Sequence, residues 1–124
     1  MPERDRPQQA CDHAGHRRAP EPHLHGTRGL GIADAYAGLE MGVDHFDASV
    51  AGLGGCPFAG HRGAAGNVCT EDLVFMCEEM GIASGVDLER LIEVARLAEE
   101  IVGHPLPGAV MHGGSLARYR SAAA

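Results

Sequence analysis

The feature that most constrains this chain is a change of hydrophobic period, from two residues to between three and four, repeated along its middle. Pro22 to His25 reads as a short strand, followed by the glycine-rich turn Gly26-Thr27-Arg28-Gly29. Ile32, Ala35, Tyr36 and Leu39 then recur at the spacing of one buried helical face, and Gly42 stops the run. Val43 to Ser49 alternates apolar and polar residues as a strand does, and a long glycine loop from Val50 to Asn67 follows. Thr70 is the expected N-cap of a second helix, with Glu71 and Asp72 in its first turn and Leu73, Met76, Cys77 and Met80 as its apolar stripe. A third helix is expected from Asp87 to about Val102, with Leu88, Leu91, Ile92 and Ala95 on one face and Gly103 and Pro105 closing it.

Strand, helix, strand, loop, helix, helix is the grammar of βα units, in which parallel strands are buried beneath crossover helices. The expected class is therefore α/β. A complete (β/α)8 barrel needs ~200 to 250 residues. A chain of 124 residues is then expected to be a partial barrel or one piece of an assembly. Residues 1–20 are polar and proline-punctuated and read as a disordered lead-in. Residues 21–104 form the expected barrel portion, and 105–124, rich in Gly and Ala, read as a loose tail.

Charge and composition exclude some partners. A net charge of −7, with Arg17-Arg18 as the basic cluster, argues against nucleic acid, because neutralising phosphates needs clustered Lys and Arg. No apolar run approaches the ~18 residues of a membrane span, and the charged first ten residues do not read as a signal peptide. A cytoplasmic location and no membrane partner are expected. The four cysteines read as thiols, because their spacing suggests no secreted disulfide framework.

Three features carry chemistry. His23 and His25 lie two apart on the expected strand, so both imidazoles point to one side and could grip a metal; they could equally be two solvated histidines at a strand edge. Asn67, after Gly66 and before a helix, offers a carboxamide oxygen suited to Mg2+ or Mn2+, or is a turn residue. Cys56 lies in Gly52-Leu53-Gly54-Gly55-Cys56-Pro57, where glycines permit close ligand approach and a mobile thiol could act as a gated acid or base. Cys11, His13 and His16, with His23 and His25, allow a different reading, a small metal-binding module, although no paired Cys-x-x-Cys is present.

The order of these motifs resembles the end of the hydroxymethylglutaryl-CoA lyase family, within a superfamily of metal-dependent lyases and synthases built on TIM barrels. His23-Leu24-His25 matches the superfamily's metal strand. Phe46 to Ala59 (Phe-Asp-Ala-Ser-Val-Ala-Gly-Leu-Gly-Gly-Cys-Pro-Phe-Ala) is similar to the lyase signature loop, and Gly66 to Leu73 to the segment with the next metal ligand. The related synthases share His-x-His and Gly-Asn but have Gly-x-Gly-Glu where this chain has the thiol loop, so Cys56 favours the lyases.

The resemblance covers His23 to about Arg118 and implies a partial (β/α)8 barrel that takes an acyl-CoA substrate. The implied reaction cleaves 3-hydroxy-3-methylglutaryl-CoA to acetyl-CoA and acetoacetate. It also implies that His23, His25 and Asn67 hold a divalent metal, that Cys56 exchanges protons with the substrate, and that His23 can carry a proton. The partner implied by the length is a missing N-terminal half or another copy of the chain. The competing expectation is a catalytically inactive barrel fragment.

Overall fold

A computed structural model describes residues 22–54 and 66–123. The lead-in, with Cys11, His13 and His16, lies outside the described residues, as does Cys56. The elements run α1 (Gly31–Glu40), a 3-10 turn (Val50–Gly52), α2 (Thr70–Glu79), α3 (Leu88–Val102), α4 (Ala109–Gly113) and α5 (Ala117–Ala122). None of the described helices is long and apolar enough to cross a membrane.

The longest helix, α3, has the clearest local causes. Asp87 is its N-cap and accepts the Arg90 backbone N–H at 3.1 Å, while Gly103 ends it in the left-handed region at φ 74. Leu88, Ile92 and Ala95 are buried on the face that the spacing predicts. That face serves two apolar clusters. Ala95 packs with Ala51, Leu106 and Met111, whereas Leu88 and Ile92 pack with Val74. The helix thus joins the 3-10 turn on one side to α2 and α4 on the other.

Four expectations need correction. The stretches 22–25 and 43–49 make no continuous strand among the described residues; they pair through isolated bridges, His23↔Asp47, His25↔Asn67 and Ser49↔Cys69. Each stretch turns away too soon for a ladder, the first at the turn after His25 and the second at Val50. Cys69, not Thr70, occupies the N-cap position of α2, because the Thr70 N–H is tied to the Ser49 carbonyl at 2.9 Å. Tyr36 is 47% exposed rather than buried, and Met80 of the expected stripe is 37% exposed.

The last correction concerns residues 105 onward, expected as a loose tail. Asp72 accepts the Val110 N–H at 2.8 Å and the Ala109 N–H at 3.2 Å, and so supplies the first unpaired donors of α4 with partners. Arg96 Nε donates to the Met111 carbonyl at 3.0 Å. Leu106 and the fully buried Met111 then complete the core.

Candidate metal and thiol-loop site

His25 and Asn67 meet through backbone geometry. The Gly26 N–H donates to the Gly66 carbonyl at 3.0 Å, and the Val68 N–H donates to the Leu24 carbonyl at 2.9 Å. These bonds flank the antiparallel His25↔Asn67 bridge, so the two residues form a non-hydrogen-bonded pair. In such a pair the Cα atoms come to about 4.5 Å and the side chains share one face. The His23 and His25 rings stand edge to face with centroids 5.0 Å apart. All three residues singled out from the sequence as metal ligands therefore share one corner.

Two further groups define this corner. Asn67 Nδ2 donates to the Leu53 carbonyl at 3.0 Å, which commits the NH2 end of the amide and fixes its orientation. Asp47 Oδ2 lies 3.7 Å from His23 Nδ1, both side chains being more than half exposed. Sequence reasoning assigned Asp47 no role, although its place on the period-two stretch opposite His23 was a usable signal. Among the described residues no group of three His, Cys, Asp or Glu side chains is arranged around a common point. The corner consists instead of two imidazoles, one amide and a neighbouring carboxylate.

The loop that carries Cys56 leaves and returns at a narrow neck. A Cβ on Gly66 would fall 1.8 Å from the Gly54 carbonyl oxygen, so backbone touches backbone here. A Cβ on Gly54, which has φ +107, would lie 2.8 Å from Asn67 Nδ2. Beside the neck is a cleft of about 330 Å3 lined by Gly52, Gly54, Gly66, His104, Leu106 and Pro107.

The thiols and acids around the neck differ in character. Cys69 is buried, and desolvation, followed by the nearby Asp72 and Glu71 charges, pushes its pKa up to about 12, so it remains a neutral packing group. Burial also raises Cys77. Glu71 is fully buried and accepts the Ala51 N–H on Oε2 at 3.0 Å. Sequence reasoning treated it as an ordinary acid in the first turn of a helix, and its neighbours in the chain give no sign of burial. His104 and His112 are assigned no function from the sequence; His104 lines the cleft beside the neck, whereas His112 bonds to the Gly108 carbonyl and to Glu99 near the start of α4.

Residues 10–98 match the HMGL-like family. A hydroxymethylglutaryl-CoA lyase of Bacillus subtilis is 48% identical over 85 residues, which is 68% of this chain and 28% of the relative. An (R)-citramalyl-CoA lyase of Chloroflexus aurantiacus is 42% identical over 92 residues, covering 74% of this chain and 28% of the relative. The solved structure of an HMG-CoA lyase from Acinetobacter baumannii, in complex with coenzyme A and 3-methylmalate, superposes with a TM-score of 0.69 at 48% identity. That match covers 77% of this chain and 30% of the other. The chain thus spans somewhat over a quarter of the length of these relatives, and by residues 10–98 it belongs to the HMGL-like family.

Proposed function

We propose that this chain carries the metal-binding and thiol-bearing part of a carbon–carbon lyase for a 3-hydroxy acyl-CoA, with 3-hydroxy-3-methylglutaryl-CoA as substrate and acetyl-CoA and acetoacetate as products. The observation that carries this reading is the shared corner of His23, His25 and Asn67 beside the neck of the Cys56 loop. Two imidazole nitrogens and a carboxamide oxygen suit Mg2+ or Mn2+ completed by waters. The Leu53 carbonyl supports the fit, because it turns the amide so that oxygen rather than nitrogen is presented. When bound, the cation would polarise the tertiary hydroxyl and a carbonyl or carboxylate oxygen of the substrate.

The chain's own residues would then manage protons and position. Asp47 lies beside His23 Nδ1 and would help to orient that ring. His23 would take the hydroxyl proton on a ring nitrogen that is not committed to the cation, as the bond between the hydroxyl-bearing carbon and the thioester α-carbon breaks. The hydroxyl carbon becomes the ketone of acetoacetate, and the bonding pair passes to the acetyl-CoA enolate. Cys56 would deliver a proton to the α-carbon of that enolate, and the proton taken from the hydroxyl would restore its thiol.

The likeness to solved lyases supports an arrangement in which residues 21–104 are the C-terminal βα units of a (β/α)8 barrel. Exposed apolar side chains such as Leu30, Met41 and Ile101 are consistent with partners for this chain, either an N-terminal half or another copy. The citramalyl-CoA relative favours a second substrate of the same chemistry, a 3-hydroxy thioester with a different acid substituent.

The test is Mn2+ binding followed by electron paramagnetic resonance, with lyase activity read as acetoacetate release in the presence of a co-expressed N-terminal half of the Bacillus relative. His25→Ala and Asn67→Ala are each expected to weaken Mn2+ binding at least about tenfold. Cys56→Ala should abolish turnover while leaving Mn2+ affinity intact. Unchanged Mn2+ affinity in both ligand variants would refute the metal assignment. Turnover of citramalyl-CoA but not of 3-hydroxy-3-methylglutaryl-CoA would select the second substrate.

A further inference from the structure

Glu71 stands at the first turn of α2 with no exposure at all, in a position where a carboxylate is ordinarily solvated. Its Oε2 accepts the Ala51 N–H, and its Oε1 has no hydrogen-bond partner among the described residues. Leaving a buried polar atom unpaired costs stability, because its hydration is lost without a replacement bond. The enclosure is close: a Cβ on Gly108 would lie 2.5 Å from Oε1, and the buried Met111 packs against the same glycine.

What the carboxyl holds is an unusual turn. Ala51 sits at φ 55 and ψ 16, the one non-glycine residue with positive φ among the described residues. Alanine is disfavoured in that region because its Cβ crowds the following carbonyl oxygen, so the conformation persists only where its surroundings impose it. Ala51 is also fully buried, and its N–H needs a partner inside the protein. Two residues later the Leu53 carbonyl accepts from Asn67 Nδ2, and Gly54 then opens the loop that contains Cys56. A carboxyl oxygen, a strained turn and an amide are thereby coupled in series.

We propose that Glu71 is a positioning residue: by anchoring the Ala51 N–H it fixes the Val50–Leu53 turn, and through the Leu53 carbonyl it sets the direction of the Asn67 carboxamide. The consequence for metal binding rests on the reading of Asn67 as a ligand given above. The turn needs an acceptor oxygen at the right reach, not a charge. In keeping with this, burial raises the pKa of the Glu71 carboxyl against the opposing effect of the Ala51 hydrogen bond.

Three substitutions in the full chain separate reach from charge. Glu71→Gln keeps an acceptor oxygen at full length, Glu71→Asp keeps the charge but withdraws it by one methylene, and Glu71→Leu removes both. The readouts are the Asn67 side-chain NH2 resonances, hydrogen exchange of the Ala51 amide, and Mn2+ affinity. The Gln variant is expected to stay close to wild type in all three. The Asp and Leu variants should shift the Asn67 signals, expose the Ala51 amide to exchange and weaken Mn2+ binding about tenfold.

An Asp variant that behaves as wild type while Gln does not would overturn the proposal, because charge would then be the active property. A folded Leu variant with unmoved Asn67 signals overturns it too. Loss of fold in both Asp and Leu variants would make Glu71 a stability residue and has the same consequence. If the wild-type chain binds no Mn2+, the metal reading fails, and the Asn67 and Ala51 signals still decide the positioning role.

Discussion

Gly52 offers a perturbation whose size can be worked out from the structure. It lies in the turn before the thiol loop at φ +67, and a Cβ there would meet Cys69 Sγ at 2.8 Å, Pro107 Cγ at 3.0 Å and the Asn67 carbonyl oxygen at 3.2 Å. Gly52→Ala therefore carries two penalties. The left-handed conformation disfavours alanine by about 1–2 kcal/mol. Forcing a methyl group into a packed site adds roughly 1–3 kcal/mol. Gly103 provides the control, since it has φ +74 but no atom within 4 Å of the added Cβ, and Gly103→Ala should suffer only the first penalty.

The assay is urea unfolding followed by far-ultraviolet circular dichroism. With a slope of about 1–3 kcal/mol per molar for a small protein, Gly52→Ala should lower the midpoint by roughly 1–2 M, well beyond the shift in Gly103→Ala. Adding Cys69→Ala to Gly52→Ala removes the nearest atom and should recover part of the crowding penalty, a coupling expected of residues in contact. Equal midpoints for the two glycine variants would refute the claim that the turn is pressed against Cys69 and Asn67.

Cys69, held neutral by burial with a pKa pushed up to about 12, should resist iodoacetamide at pH 8 until urea unfolds the chain; mass spectrometry of the labelled peptide checks this, and labelling of the folded chain at a free-thiol rate would contradict it. A further prediction concerns pH. The Leu106 N–H and then His112 hold the Glu99 carboxyl below its usual range, while the Gly108 carbonyl and then Glu99 raise His112. The lowered acid contributes stability above its ordinary pKa and loses it as pH falls through the folded value; the raised imidazole contributes below its ordinary pKa and loses it as pH rises through the folded value. The pair is therefore most effective between about pH 4.3 and 6.5. His112→Ala should lower the melting temperature more at pH 5.5 than at pH 8, and equal shifts at the two pH values would contradict the pairing.

How much of this was legible in the sequence differs between elements for physical reasons. α3 announces itself through Asp87, Gly103 and a regular apolar spacing, all local signals. α2 is legible as a helix from its start and acidic first turn, but its buried face is not, because that turn is enclosed on several sides, so Glu71 and Val74 are buried together with Leu73 while Met80 on the expected stripe emerges. The order of α4 was hidden for a related reason: its anchoring carboxylate, Asp72, is 38 residues away from Val110. At the site, the period-two rule correctly placed the rings of His23 and His25 on one side. It could not reveal the Leu53 carbonyl that orients Asn67, since every residue has a carbonyl and only three-dimensional proximity distinguishes this one. The expected strands reduce to single bridges because side-chain alternation marks extended backbone without telling how many neighbours will pair with it.

The three bridges also bear on the order of folding. Each joins positions about twenty to forty residues apart, so each must close a long loop before any pairing energy is gained. Helices, whose bonds are local, form far sooner than such contacts can be found. The corner of His23, His25 and Asn67 is accordingly expected to acquire its shape after the helices have formed.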